Sequence, residues 1–79
     1  MTYKFYLKIS VSNNVKNPKK IDLMDILGKE FQEYYDGFGF DSKEKDFFFY
    51  DIPLNLIELV PLRLKEYPDF RYTITQNEN

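Results

Sequence analysis

The chain contains no cysteine, no histidine and no tryptophan. Without cysteine there is no disulfide framework, and without cysteine and histidine the usual zinc-ligand sets cannot be assembled. A Ser-His-Asp triad is also impossible, so Ser10, Ser12 and Ser42 have no general base of that type. Glycine is scarce, at three residues, and no Gly-rich phosphate-binding loop can be traced. No apolar run is long enough to cross a bilayer; the richest stretch, residues 54–64, is broken by Asn55, Glu58, Pro61 and Arg63. The first residues alternate polar and apolar and lack the apolar block of a secretory signal. These absences predict a soluble, cytoplasmic protein with no membrane partner, no cofactor, no metal and no enzymatic activity.

Aromatic side chains are abundant instead: eight Phe and seven Tyr in 79 residues. A chain of this length buries only about 60–65% of its unfolded surface and needs reinforcement. With disulfides and zinc excluded, that reinforcement must come from an aromatic core, at roughly 150–250 Å² buried per ring, or from self-association. The length predicts one domain over residues 1–79, with 76–79 as a frayed tail.

Formal net charge is −2, but the charges are segregated along the chain. Residues 1–21 hold five Lys and no acid, whereas residues 22–51 hold nine acids against three Lys. Charge blocks of this kind either survive as surface patches or neutralise one another on folding.

Residues 3–12 alternate, with Tyr3, Phe5, Leu7, Ile9 and Val11 on one parity, which predicts a strand buried on one face. Residues 13–20 are polar, basic and punctuated by Asn and Pro, as in a loop. Asp22 then caps a helix, with Asp25 three residues on and Ile21 and Ile26 as a hydrophobic staple. Leu23, Leu27, Phe31 and Tyr34 recur at helical spacing, Gly28 marks a close approach to the sheet, and Asp36-Gly37 stops the helix. Residues 38–40 and 46–52 form a hairpin around the polar link 41–45. A second helix covers 54–67, capped by Asp51 and either kinked or divided by Pro61. Residues 70–75 alternate again and give a last strand whose Phe70, Tyr72 and Ile74 point inward.

Strand, helix, strand, strand, helix, strand, with right-handed crossovers, predicts an α+β fold of the ferredoxin-like βαββαβ type. Its four-stranded antiparallel sheet has order 4-1-3-2 and both helices on one face. The other face is open. Lys4, Tyr6, Lys8 and Ser10 of the first strand and Arg71, Thr73 and Thr75 of the last should line it. The third strand adds either Phe47 and Phe49 or Phe48 and Tyr50. With the second pair outward, Tyr6, Phe48 and Tyr50 form an aromatic patch.

Three binding functions compete for this surface. Asp36, Asp41, Glu44 and Asp46 are interleaved with aromatics, and aromatic anchors within an acidic rim suit docking onto a basic protein, such as one that handles nucleic acid. That predicts a small inhibitor or immunity-type protein, of the anti-defence or antitoxin kind, with Asp36, Asp41, Glu44, Asp46, Tyr6, Phe48 and Tyr50 as its contact residues. Alternatively two sheets pack open face to open face, or edge to edge, in a homodimer or assembly contact. Thirdly, aromatics on central strands beside Lys4, Lys8 and Arg71 could stack single-stranded RNA. The stretch 36–40 resembles part of the Gly-aromatic-Gly-aromatic core of RNA-recognition motifs, but it begins with an acid and falls on the second strand. A pI near 5.0 also opposes phosphate binding.

Other motifs carry less. A calcium loop over 36–44 would put Phe38 and Phe40 where oxygen ligands belong. Glu30 and Glu33 are ordinary exposed helix acids in this pattern. Lys16, Lys19 and Lys20 precede a helix start already occupied by Asp22 and Asp25.

Overall fold

A computed structural model describes residues 3–12 and 23–77. Among these, four strands form one antiparallel sheet in the order β2-β3-β1-β4. The strands are β1 (Lys4–Ser12), β2 (Tyr35–Phe40), β3 (Glu44–Pro53) and β4 (Phe70–Asn77). The class is α+β, with the helical layer made of short pieces: α1 (Leu23–Leu27), a 3-10 helix (Lys29–Tyr34), α2 (Leu54–Ile57) and α3 (Leu59–Leu64). Both crossovers deliver side chains to one core. Leu23, Leu27, Phe31, Ile57, Val60 and Leu64 pack with Leu7, Ile9 and Val11 of β1, Phe49 and Ile52 of β3, and Phe70 of β4. Phe31 meets Phe49 edge-on at 6.3 Å between ring centroids, a geometry worth about 0.5–1.5 kcal/mol beyond the area buried.

The expectations for the first helix need correction in three places. The first helix does not continue to Asp36. It ends at Leu27, because Gly28 takes φ +111° and the chain resumes as a 3-10 helix. Gly28 does approach another element closely, but that element is α3: a Cβ there would stand 2.5 Å from Arg63 Nη1. Arg63 itself donates a hydrogen bond to the Leu27 carbonyl and so satisfies a helix-end acceptor. Asp36-Gly37 therefore stops nothing; both residues lie in β2.

The second helix is divided, with Glu58 joining α2 to α3 and Pro61 in the first turn of α3. Proline is tolerated there because its missing N–H is one of the unpaired donors of a first turn. Asp51 does not cap α2, whose N-cap is Pro53 with no side-chain cap bond. The last strand is longer than its alternation suggested, since Gln76 and Asn77 belong to β4. Tyr72 and Ile74 share the side of Ile9 and Leu7 but remain 40% and 37% exposed. Asp22, Ile21 and the basic loop at 13–20 lie outside the described residues.

Two bulges set which side chains reach the core. Phe5 pairs with Ile52 and Leu7 with Phe49, so two steps on β1 face three on β3. The extra residue falls at Tyr50–Asp51, where Asp51 adopts φ +59°. Strict alternation would put Asp51 on Phe49's side; the bulge puts Ile52 there instead, and both Phe49 and Ile52 are fully buried. On the other edge Tyr35 pairs with Phe49 and Gly37 with Phe48, which makes Asp36 the extra residue of β2.

Candidate binding face

The parity of β3 is settled by its register. Phe49 is buried among the helices, so Phe48 and Tyr50 face the side of the sheet away from the described helices. Tyr6 of β1 alternates with the buried Leu7 and points the same way. Its ring centroid lies 4.8 Å from Tyr50 and 6.5 Å from Phe48. The three expected aromatics thus form one patch on the two central strands. Phe48 and Tyr6 are half-buried, and Tyr50 is 43% exposed. Burial pushes the Tyr6 hydroxyl above the ordinary tyrosine range, assisted by the neighbouring Tyr50.

The acids divide by what they touch. Asp46 and Glu44 continue the outward row of β3 beyond Phe48, so Tyr50, Phe48, Asp46 and Glu44 occupy successive positions on one side. At about 3.4 Å per residue that row spans roughly 20 Å. Asp46 accepts a hydrogen bond from the Ser10 hydroxyl at 2.6 Å. Glu44 forms an ion pair with Arg71 of β4. Both partners of that pair are solvent-accessible, so it contributes about 0–1 kcal/mol and can exchange partners.

Asp41 sits in the turn between β2 and β3. Its Oδ1 accepts the backbone N–H groups of Lys43 at 2.7 Å and Glu44 at 2.8 Å, an Asx turn that closes the hairpin. Those two N–H groups hold its carboxyl below the usual carboxylate range. Asp36 is the exposed bulge residue of β2, next to Gly37, whose pairing partner is Phe48. Among the expected contact residues, then, Tyr6, Phe48, Tyr50, Asp46 and Glu44 share one face, while Asp41 and Asp36 lie at its turn and edge.

Cations share this face too. Lys4 and Lys8 alternate with the core residues of β1, and Arg71 pairs with Ser10 in register. Sequence reasoning passed over the floor of the face on β2. Gly37 and Gly39 lie opposite Phe48 and Asp46, and a Cβ on Gly39 would touch Phe48 Cε2 at 3.7 Å. The signal was present as two glycines at strand spacing between Phe38 and Phe40. With no side chain at Gly39, β2 leaves room beside the Phe48 ring, which stacks against Tyr6 on the other side.

Among the described residues no group of three or more carboxylates is placed to hold a metal ion, and no helix is long and apolar enough to cross a membrane. Compared with family models, curated proteins and solved structures, the chain matches none.

Proposed function

We propose that this chain acts by binding and not by catalysis, as an inhibitor or immunity-type protein of the anti-defence or antitoxin kind. Its partner would be a cytoplasmic protein whose basic surface handles nucleic acid. One observation carries the reading: the outward row of β3, in which the aromatic pair Tyr50 and Phe48 is followed by the acidic pair Asp46 and Glu44. Tyr6 widens the aromatic end, and Asp41 extends the acidic end into the turn. Aromatic side chains in a desolvated centre supply most of an interface's affinity, and charges at its margin steer approach and set salt dependence. The finer fold assignment belongs with this proposal. Taking α1 with the 3-10 helix as one crossover and α2 with α3 as the other gives a ferredoxin-like βαββαβ plait with each helix broken.

The test is capture of partners from the host's lysate on immobilised wild type and variants. Phe48→Ala and Tyr50→Ala should each weaken retention at least tenfold. Asp41→Lys combined with Asp46→Lys should abolish the part of binding that falls with added salt. Retention of the double Lys variant at wild-type level would remove the basic partner from consideration.

A second reading has a specific observation in its favour. Tyr6 on β1 and Phe48 and Tyr50 two apart on β3, beside Lys4, Lys8 and Arg71, resemble a base-stacking platform. Against it stand the packing of Tyr6 on Tyr50, which occupies ring surface a base would need, and the acidic pI. Quenching of tyrosine fluorescence by an oligonucleotide at low salt, with loss on Phe48→Ala, would favour it over the protein partner.

A further inference from the structure

The two edges of the sheet are built differently. β2 is six residues long, is interrupted by the bulge at Asp36 and contains Gly37 at φ +138°. A short, bulged, acid-bearing edge resists pairing with another chain. β4 carries none of those protections. It runs eight residues, pairs with β1 without a register shift from Phe70 to Asn77, and has no proline or glycine. Its single charge, Arg71, is engaged with Glu44. Residues 71–76 are all exposed, and among the described residues no strand lies beyond β4. Tyr72 and Ile74 are uncovered on the helix side, and Thr73 and Thr75 face the open side.

We propose that β4 pairs antiparallel with β4 of a second copy of this chain, about a twofold axis at Thr73, joining two sheets into one of eight strands. An axis perpendicular to the sheet keeps both helical layers on one side, which requires each residue to face one of its own parity. Centred on Thr73, Tyr72 lies opposite Ile74 of the second copy, and the reverse pair repeats it. The two exposed apolar side chains of the edge therefore cover each other as an aromatic–β-branched pair. Arg71 falls opposite Thr75 and Phe70 opposite Gln76, so no like charges meet. Centring on Tyr72 or on Ile74 loses the Tyr72–Ile74 pairs. The strand is thus complementary to itself, which makes a second copy the partner it fits. This contact is separate from the aromatic face and leaves that face free.

The chain has no cysteine, so a single introduced one can form only an intermolecular disulfide. Thr73→Cys would sit on the axis with its Cα about 4.5–5.5 Å from its counterpart, inside the roughly 4.4–6.8 Å window of a disulfide. Thr75→Cys would be displaced by four residues, about 13 Å along the strand. Light scattering should show a wild-type dimer at high micromolar concentration. Mild oxidation should link Thr73→Cys at least tenfold faster than Thr75→Cys, and Thr73→Lys, which opposes like charges on the axis, should shift the protein to monomer with an unchanged circular-dichroism spectrum. A wild type that stays monomeric at these concentrations overturns the proposal. So does a dimer whose Thr75→Cys variant links as fast as Thr73→Cys, or one that survives Thr73→Lys and is broken by Phe48→Ala on the open face.

Discussion

Gly28→Ala should destabilise the protein more than Gly37→Ala, although both glycines occupy positive φ. At Gly37 a new Cβ would meet nothing within 4 Å. Its cost is conformational alone: about 1–3 kcal/mol for holding an L-residue there, offset by about 0.4–1 kcal/mol because alanine has a less mobile unfolded state. The net is about 1–2 kcal/mol. At Gly28 the same term applies, and the Cβ also lands 2.5 Å from Arg63 Nη1 and 2.7 Å from Glu30 Oε1. Glu30 is exposed and can turn away. Arg63 can move only by giving up its hydrogen bond to the Leu27 carbonyl. A bond to a charged group is worth about 1.5–3 kcal/mol when buried and less here, where Arg63 is half-exposed. An additional ~1 kcal/mol brings Gly28→Ala to about 2–3 kcal/mol.

The two terms separate in a double-mutant cycle. Arg63→Met keeps the aliphatic stem and removes the guanidinium, so Gly28→Ala in that background should cost only its conformational part, with a coupling of about 1 kcal/mol. Urea unfolding followed by circular dichroism supplies all four stabilities, and 1 kcal/mol corresponds to about 4–8 °C in thermal midpoint for a domain of this size. Equal costs at Gly28 and Gly37, or additivity of Gly28→Ala and Arg63→Met within about 0.3 kcal/mol, would refute the role assigned to the Arg63–Leu27 contact.

Two further outcomes follow from the hairpin. Asp51 holds φ +59° in the β3 bulge, so thermal unfolding should show Asp51→Gly neutral to about 1 kcal/mol more stable and Asp51→Val about 1–2 kcal/mol less stable; equal stabilities would mean the bulge relaxes freely. The Asp41 carboxyl is held below its ordinary range by backbone N–H groups, so its contribution is present above the unfolded-state value and is lost as pH falls through the lower folded-state value. Wild type and Asp41→Asn should therefore differ in stability at neutral pH and converge on acidification, and a gap that widens in acid would contradict the Asx turn.

Most of the sheet was legible because alternation is a strong signal wherever only one face is buried. Leu7, Ile9 and Val11 against Lys8 and Ser10 place β1 without ambiguity. The outward residues of β4 follow equally well, although Tyr72 and Ile74 sit beyond the cover of the helices. β3 was harder. Four consecutive aromatics, Phe47 to Tyr50, give both parities the same hydrophobicity, so only tertiary packing of Phe49 against Phe31 decides which face is which. The bulges were hidden for a related reason. Asp51 reads equally well as a helix cap, and Asp36-Gly37 reads equally well as a helix stop, since Asp and Gly favour positive φ in any irregular position. The first helix was overextended because Phe31 and Tyr34 keep helical spacing through Gly28. A 3-10 turn presents residues three apart to one side just as an α-helix does. The ion pair between Glu44 and Arg71 joins residues far apart in sequence, and no local pattern announces it.

The aromatic patch lies on the side of the sheet opposite the core. The strands that carry it are already anchored from the opposite side by Leu7, Ile9 and Phe49, none of which retains solvent exposure. Threonine or lysine at positions 6, 48 and 50 would leave those contacts intact and would give a more soluble surface, as Thr73 and Thr75 do on the neighbouring strand. Tyr50 is exposed and Tyr6 and Phe48 are half-buried, and a partly exposed aromatic cluster on a small domain carries an association hazard. Their backbone positions are fixed by the buried face beneath them, so the proposed partner would meet a surface whose ordering cost has been met during folding. Preorganised aromatic area followed along one strand by carboxylates is therefore the feature on which the proposed binding role rests.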